Sequence, residues 1–159
     1  MICFDTMVLI WGVQGAARPG QEEMIDRTRR YIRSLAKENQ QIMVATPALT
    51  EYLQHFDERE RKRQLELLEK HFLIASFDLP SAYLAAGLAR KAGGPSRQGS
   101  IPRQAVKTDY QIIATAIVHG AVSIITSASE REHFERLAAG KIRVLDVPDV
   151  HEQQPLDLT

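Results

Sequence analysis

A single cysteine, Cys3, leaves no partner for a disulfide within the chain. It falls in the first apolar run, where a buried structural thiol is expected and not a nucleophile. An excess of either charge is missing too: Lys+Arg and Asp+Glu number 20 each, a formal net charge of zero. A global positive field is thereby excluded, and nucleic acid could be held only by local basic patches. No apolar run is long enough to span a bilayer, and no basic segment followed by a long apolar core opens the chain. The expectation is a cytoplasmic protein with no membrane partner. A phosphate-binding glycine loop, a dinucleotide turn and a nucleophile elbow are all absent. His55, His71, His119, His133 and His151 are scattered, without metal-ligand spacing. Internal repeats, low-complexity segments and a linker are lacking as well. One domain over residues 1–147, followed by a polar tail at 148–159, is expected.

What the chain does have is apolar residues, 44% of 159, enough for one core. Short apolar runs alternate with helical patterns. Met1-Ile2-Cys3-Phe4 reads as a buried strand ending at Asp5. A loop with Gly12, Gly15, Pro19 and Gly20 follows, then a helix over residues 21–38. Ile42-Met43-Val44-Ala45 is a second strand. Thr46, as N-cap, and Pro47 open a helix with Leu49, Tyr52, Leu53 and Phe56 on one stripe. Asp57 and Glu60 are spaced as a capping box for the next helix. Further strands are expected at 72–77, 121–125 and 142–145, and helices at 82–91 and from Ser129. Right-handed crossovers would make this a parallel sheet with helices on both sides.

Residues 90–107 hold Arg90, Lys91, Arg97, Arg103 and Lys107 and no acid, with Gly93, Gly94, Pro95, Gly99 and Pro102 among them. A loop is predicted there, and Arg97, Arg103 and Lys107 are candidates for phosphate contacts. Thr108 then reads as the N-cap of a helix whose apolar stripe is Ile112, Ile113, Ala116 and Ile117. Asp109 falls on that stripe, in the first turn, near the positive end of the helix dipole. A buried charge needs a partner or a metal.

Ligands of open parallel sheets collect beyond the carboxyl ends of the strands. Asp5 follows the first strand, Glu51 the second, and Thr126 and Ser127 the fourth, while the Asp109 helix starts at the same edge. Periodicity alone turns Glu51 away from its helix's stripe, toward solvent. Converging carboxylates repel unless a cation offsets them. With oxygen donors only, Mg²⁺ or Mn²⁺ fits, and such a site suits phosphodiester hydrolysis.

Phe4-Asp5-Thr6 with Val8-Leu9, Thr50-Glu51-Tyr52-Leu53, the run from Asp109 to Ala116, and Ile125-Thr126-Ser127 resemble, in order and spacing, the PIN-domain family of VapC-like ribonuclease toxins. The resemblance runs from Met1 to about Val147. It implies a three-layer α/β/α sandwich with a central parallel sheet and a Mg²⁺- or Mn²⁺-dependent endoribonuclease. It further implies Asp5, Glu51 and Asp109 as metal-holding catalytic acids, with Thr126 and Ser127 beside them. RNA would be the substrate and an antitoxin protein the partner, and a homodimer is left open. One departure stands out: the family's usual further Asp after Thr-Ser is Ala128 here. Glu130 and Glu132 are the acids near enough to take its place. Ala128 favours the alternative of a degenerate domain that binds RNA or a protein without cutting.

Overall fold

The structure, a computed structural model, describes residues 1–91 and 103–150, with backbone alone at 103–105. Its centre is a five-stranded, all-parallel sheet in the order β3-β2-β1-β4-β5. The strands are β1 (Ile2–Phe4), β2 (Ile42–Ala45), β3 (Leu73–Ala75), β4 (Ser123–Thr126) and β5 (Arg143–Asp146). Every residue of β1, β2 and β4 is buried. Unbroken apolar runs, not alternation, are what strands covered on both faces require. The helices are α1 (Thr6–Leu9), α2 (Glu23–Lys37), α3 (Thr46–Leu53), α4 (Glu58–His71), α5 (Leu79–Lys91), α6 (Arg103–Val118) and α7 (Ala128–Ala138). The architecture is the expected α/β/α sandwich.

From β1 the chain winds outward through β2 to β3, then returns to place β4 on the other side of β1. The switch point between β1 and β4 opens a crevice at their carboxyl ends. Pairing of Phe4 with Ile125 fixes the register there. The backbone N–H of Asp5 donates to the carbonyl of Ile125 at 3.0 Å, which extends the ladder by one residue.

Several local expectations are corrected. The segment after Asp5 is not a loop: it forms α1 and runs on into a π-helical turn, Ile10–Gln14. Val8, Leu9 and Trp11 are buried, and their burial outweighs the glycines that suggested a loop. Gly12 allows the close approach to α2, since a Cβ there would lie 2.6 Å from Ile32 Cδ1. Helix α6 begins five residues before Thr108, so Thr108 is not its cap and Asp109 is not in its first turn. Val106, fully buried, continues the stripe of Tyr110 and Ile113 backward by one turn. The dipole argument for Asp109 therefore falls, because that effect fades beyond the first turn. Thr46 lies inside α3, and its Oγ1 accepts from the Phe77 N–H at 2.9 Å instead of capping. Ser127, not Ser129, stands at the N-cap of α7. The capping role of Asp57 holds: its Oδ1 accepts from the Glu60 N–H at 2.9 Å. Of the predicted basic loop, 92–102 lies outside the described residues, as does the tail from 151 to 159. Among the described residues no helix is long and apolar enough to cross a membrane.

Candidate active site

Asp5 is the residue that the sheet positions most tightly. It ends β1 and stands at the N-cap of α1, yet its carboxylate makes no capping bond. Instead Oδ2 accepts from Thr126 Oγ1 at 2.9 Å. Because Phe4 pairs with Ile125, the next residues on each strand face one another across the switch point. Asp5 is only 4% exposed. Burial pushes its pKa well above the ordinary carboxylate value, and the charges of Glu130 and Asp109 push it further the same way. The Thr126 hydroxyl and the Thr6 N–H pull in the opposite direction without overcoming that.

Glu51 comes from α3, which packs against α1 and α6. Its Oε2 accepts from Thr6 Oγ1 at 2.8 Å. The solvent-facing direction that periodicity assigned to Glu51 is therefore overturned. Tyr52 and Leu49 fill the core side of α3, but α1 covers the other side, so both faces have neighbours. Desolvation is the leading cause of a raised Glu51 pKa; the Thr6 hydrogen bond opposes it, and Asp109 and Glu130 add to it.

Asp109 reaches the same place from α6. Its Oδ2 lies 2.8 Å from His133 Nε2. Glu130, in the first turn of α7, completes the group, with its Oε2 3.3 Å from Ser127 Oγ. A cleft of about 280 Å³ is lined by Asp5, Glu51, Asp109, Glu130, Thr6 and His133, with Arg18, Gln54 and His55 also on its wall. A larger groove of about 610 Å³ opens near Ile42 and Leu73, at the amino ends of β2 and β3. It contains no carboxylate, so volume does not decide where the chemistry lies.

The remaining sequence candidates sort as follows. Thr126 and Ser127 are buried and do not line the cleft; they hold Asp5 and Glu130 from behind. Ala128 is exposed and does not line the cleft. Glu132 is exposed as well, which leaves Glu130 as the acid that reaches in. Lys107 is exposed on α6 and does not line the cleft. Arg97 lies outside the described residues, and so does the side chain of Arg103. His133 is one of the scattered histidines to which metal-ligand spacing assigns no role. Its signal was spacing: it sits three residues after Glu130, on the same face of one helix.

Among the described residues, no group of three or more His, Cys, Asp or Glu side chains is placed to hold a metal ion. The donor set nonetheless fits a hard dication. It consists of carboxylate oxygens, and burial leaves Asp5 and Glu51 with their charged forms disfavoured, a state that a nearby cation would reverse. Mg²⁺ keeps several waters and needs only one or two protein carboxylates. Asp5 and Asp109 are the residues that would hold it, with Glu51 beside them.

No family model matches the chain, and no curated protein matches it. Solved structures do. A chain in the crystal structure of VapBC2 from Rickettsia felis, bound to a DNA fragment from its promoter, superposes with a TM-score of 0.63 at 16% identity. The match covers 92% of this chain and 98% of that one. A chain of DNA-bound VapBC from Salmonella typhimurium gives a TM-score of 0.59, again at 16% identity and with 92% and 98% coverage. Likeness at that identity is a likeness of fold, and the fold is PIN-like.

Proposed function

We propose that this chain is an endoribonuclease dependent on Mg²⁺ or Mn²⁺, and the toxin of a toxin–antitoxin pair. The observation that carries the reading is the cleft at the sheet's switch point, faced by Asp5, Glu51, Asp109 and Glu130. Four converging acids, of which Asp5 and Glu51 have their pKa raised by burial, are costly to the fold and are otherwise unexplained. A dication bound there would activate water and offset charge on the scissile phosphate. Asp5 and Asp109 would hold the cation, with Glu51 beside them and Glu130 as the fourth acid in place of the family's usual Asp. Thr126, Thr6 and Ser127 orient three of these carboxylates through their hydroxyls. Arg18 is the exposed cation on the cleft wall and would meet a phosphate oxygen of the entering RNA. The fold likeness to chains of VapBC complexes supports an antitoxin as partner.

The test is Asp109→Asn. Asn keeps the size and a carbonyl oxygen but removes one charge, so metal-dependent cleavage of a structured RNA should be lost while the fold survives. Glu130→Gln should raise the Mn²⁺ concentration needed for half-maximal cleavage. Full cleavage by Asp109→Asn would rule out the mechanism. A second reading, a non-cleaving RNA or protein binder, draws on the open spacing of the acids. No cleavage by the wild type across a Mg²⁺ and Mn²⁺ titration would favour it.

A further inference from the structure

Asp109 is held from behind by a directed chain of hydrogen bonds. His133 Nε2 lies 2.8 Å from Asp109 Oδ2, and Arg136 Nη2 lies 2.9 Å from His133 Nδ1. A guanidinium has donors only. Nδ1 must therefore accept, which leaves the ring proton on Nε2, directed at Asp109. Arg136 donates to His133 and His133 donates to Asp109, across the contact between α7 and α6. The His133 and Asp109 side chains are only 8% and 15% exposed, so water competes weakly for the bond. The ring also packs against that of Phe134 in a T-shaped contact, with centroids 6.1 Å apart. The other three acids of the cleft are hydrogen-bonded to hydroxyls, and Asp5 to the Thr6 N–H as well. Asp109 is held by a planar ring with a cation behind it.

We propose that His133 is a positioning residue for Asp109, and that Arg136 sets the tautomer and angle of the ring. The proposal rests on the reading of the cleft as a cation site. With Oδ2 taken by His133, Oδ1 is the oxygen left for the cation. A ligand carboxylate already held in place loses less freedom on binding, and partners of this kind typically contribute 10–100-fold to metal affinity.

The test uses the full chain, with Mn²⁺ binding followed by electron paramagnetic resonance and the metal-free imidazoles by nitrogen NMR. His133→Gln keeps an N–H near the position of Nε2. His133→Asn is equally polar but falls short of Asp109. The wild-type ring should show a proton on Nε2 and a bare Nδ1. Mn²⁺ affinity should stay within about threefold of wild type in the Gln variant and fall about 10–100-fold in the Asn variant. Metal-free melting should be alike in the two, a split that a packing role would not produce. The Mn²⁺ requirement for cleavage should rise with the lost affinity while the KM for RNA holds. Equal Mn²⁺ affinity in wild type and Asn variant, equal loss in both variants, or a proton on Nδ1 overturns the positioning role. If the Asn variant does not fold, Arg136→Met reads the same chain: mixed tautomers and weaker Mn²⁺ binding are expected, and an unchanged ring and affinity overturn it. A wild type that binds no Mn²⁺ overturns the cation-site reading and this proposal together, whereas a binding wild type with an indifferent His133 overturns this proposal alone.

Discussion

Asp5 and Glu51 carry raised pKa values because folding removes them from water and sets them near other acids. The consequence for stability has a definite sign. In the folded state these groups hold their protons to higher pH than in the unfolded chain. The native state therefore binds more protons over that interval, and stability falls as pH rises through it. The cost is absent below the ordinary carboxylate range and fully present above the raised values. Metal-free protein should accordingly melt at lower temperature as pH climbs from about 4 toward neutrality, and Asp5→Asn should flatten that dependence. For a chain of this size each kcal/mol recovered raises Tm by roughly 2–4 °C, a shift that calorimetry resolves. A slope unchanged by Asp5→Asn would remove Asp5 as its source. Below the raised values, cation binding must also displace protons from these acids. Calorimetry of Mn²⁺ binding in buffers of different ionisation enthalpy should therefore detect proton release. A buffer-independent heat would contradict it.

Secondary-structure elements carry these residues, and their stability can be probed away from the cleft. Asp57 caps α4 through the Glu60 N–H and lies off the cleft wall. Asp57→Ala should cost about 1 kcal/mol in urea unfolding and leave Mn²⁺ affinity unchanged. A change in affinity would mean that α4 is coupled to the site. Helix α6 does both tasks at once. Ile112, Ile113 and Ala116 are fully buried, while Asp109 on the same helix faces the acids. Ile113→Ala should cost about 2–5 kcal/mol, read by the same unfolding, because the surrounding helices cannot close fully on the space. That α6 exists was legible from its stripe. Its start was not, because Pro102 and the preceding glycines suggested a loop and the buried Val106 was the one sign of an earlier turn.

At the scale of the whole molecule the formal net charge is zero, so attraction for RNA has to be local. Arg18 on the cleft wall and Lys107 on α6 are the described cations that would meet phosphate. Each replaced by Ala should weaken single-stranded RNA binding similarly across sequences. Each should also reduce the slope of log affinity against log salt by about 0.7, measured by fluorescence anisotropy. An unchanged slope in both variants would return these residues to plain solvation. The doubly wound sheet explains why so few side chains suffice: strand order 3-2-1-4-5 brings residues distant in sequence to one edge.

The amino-acid pattern was enough for the parallel sheet, since short apolar runs such as Ile42–Ala45 alternate with helical patterns long enough for crossovers. It also determined that Asp5 would stand at a strand end, because the run of Ile2–Phe4 stops there. Direction was decided only by packing. Glu51 points off its own helix's apolar stripe, and a helical period cannot show that α1 closes over that side. Glu130 lines the cleft while Glu132 and Ala128 do not, which depends on where α7 starts and which way its faces turn. The partnership of His133 with Asp109 spans 24 residues and two helices, and no local pattern encodes such a contact. Periodicity reports which face of an element avoids water. Which polar groups meet across elements depends on strand order, register and helix start, and those are set when the whole core closes.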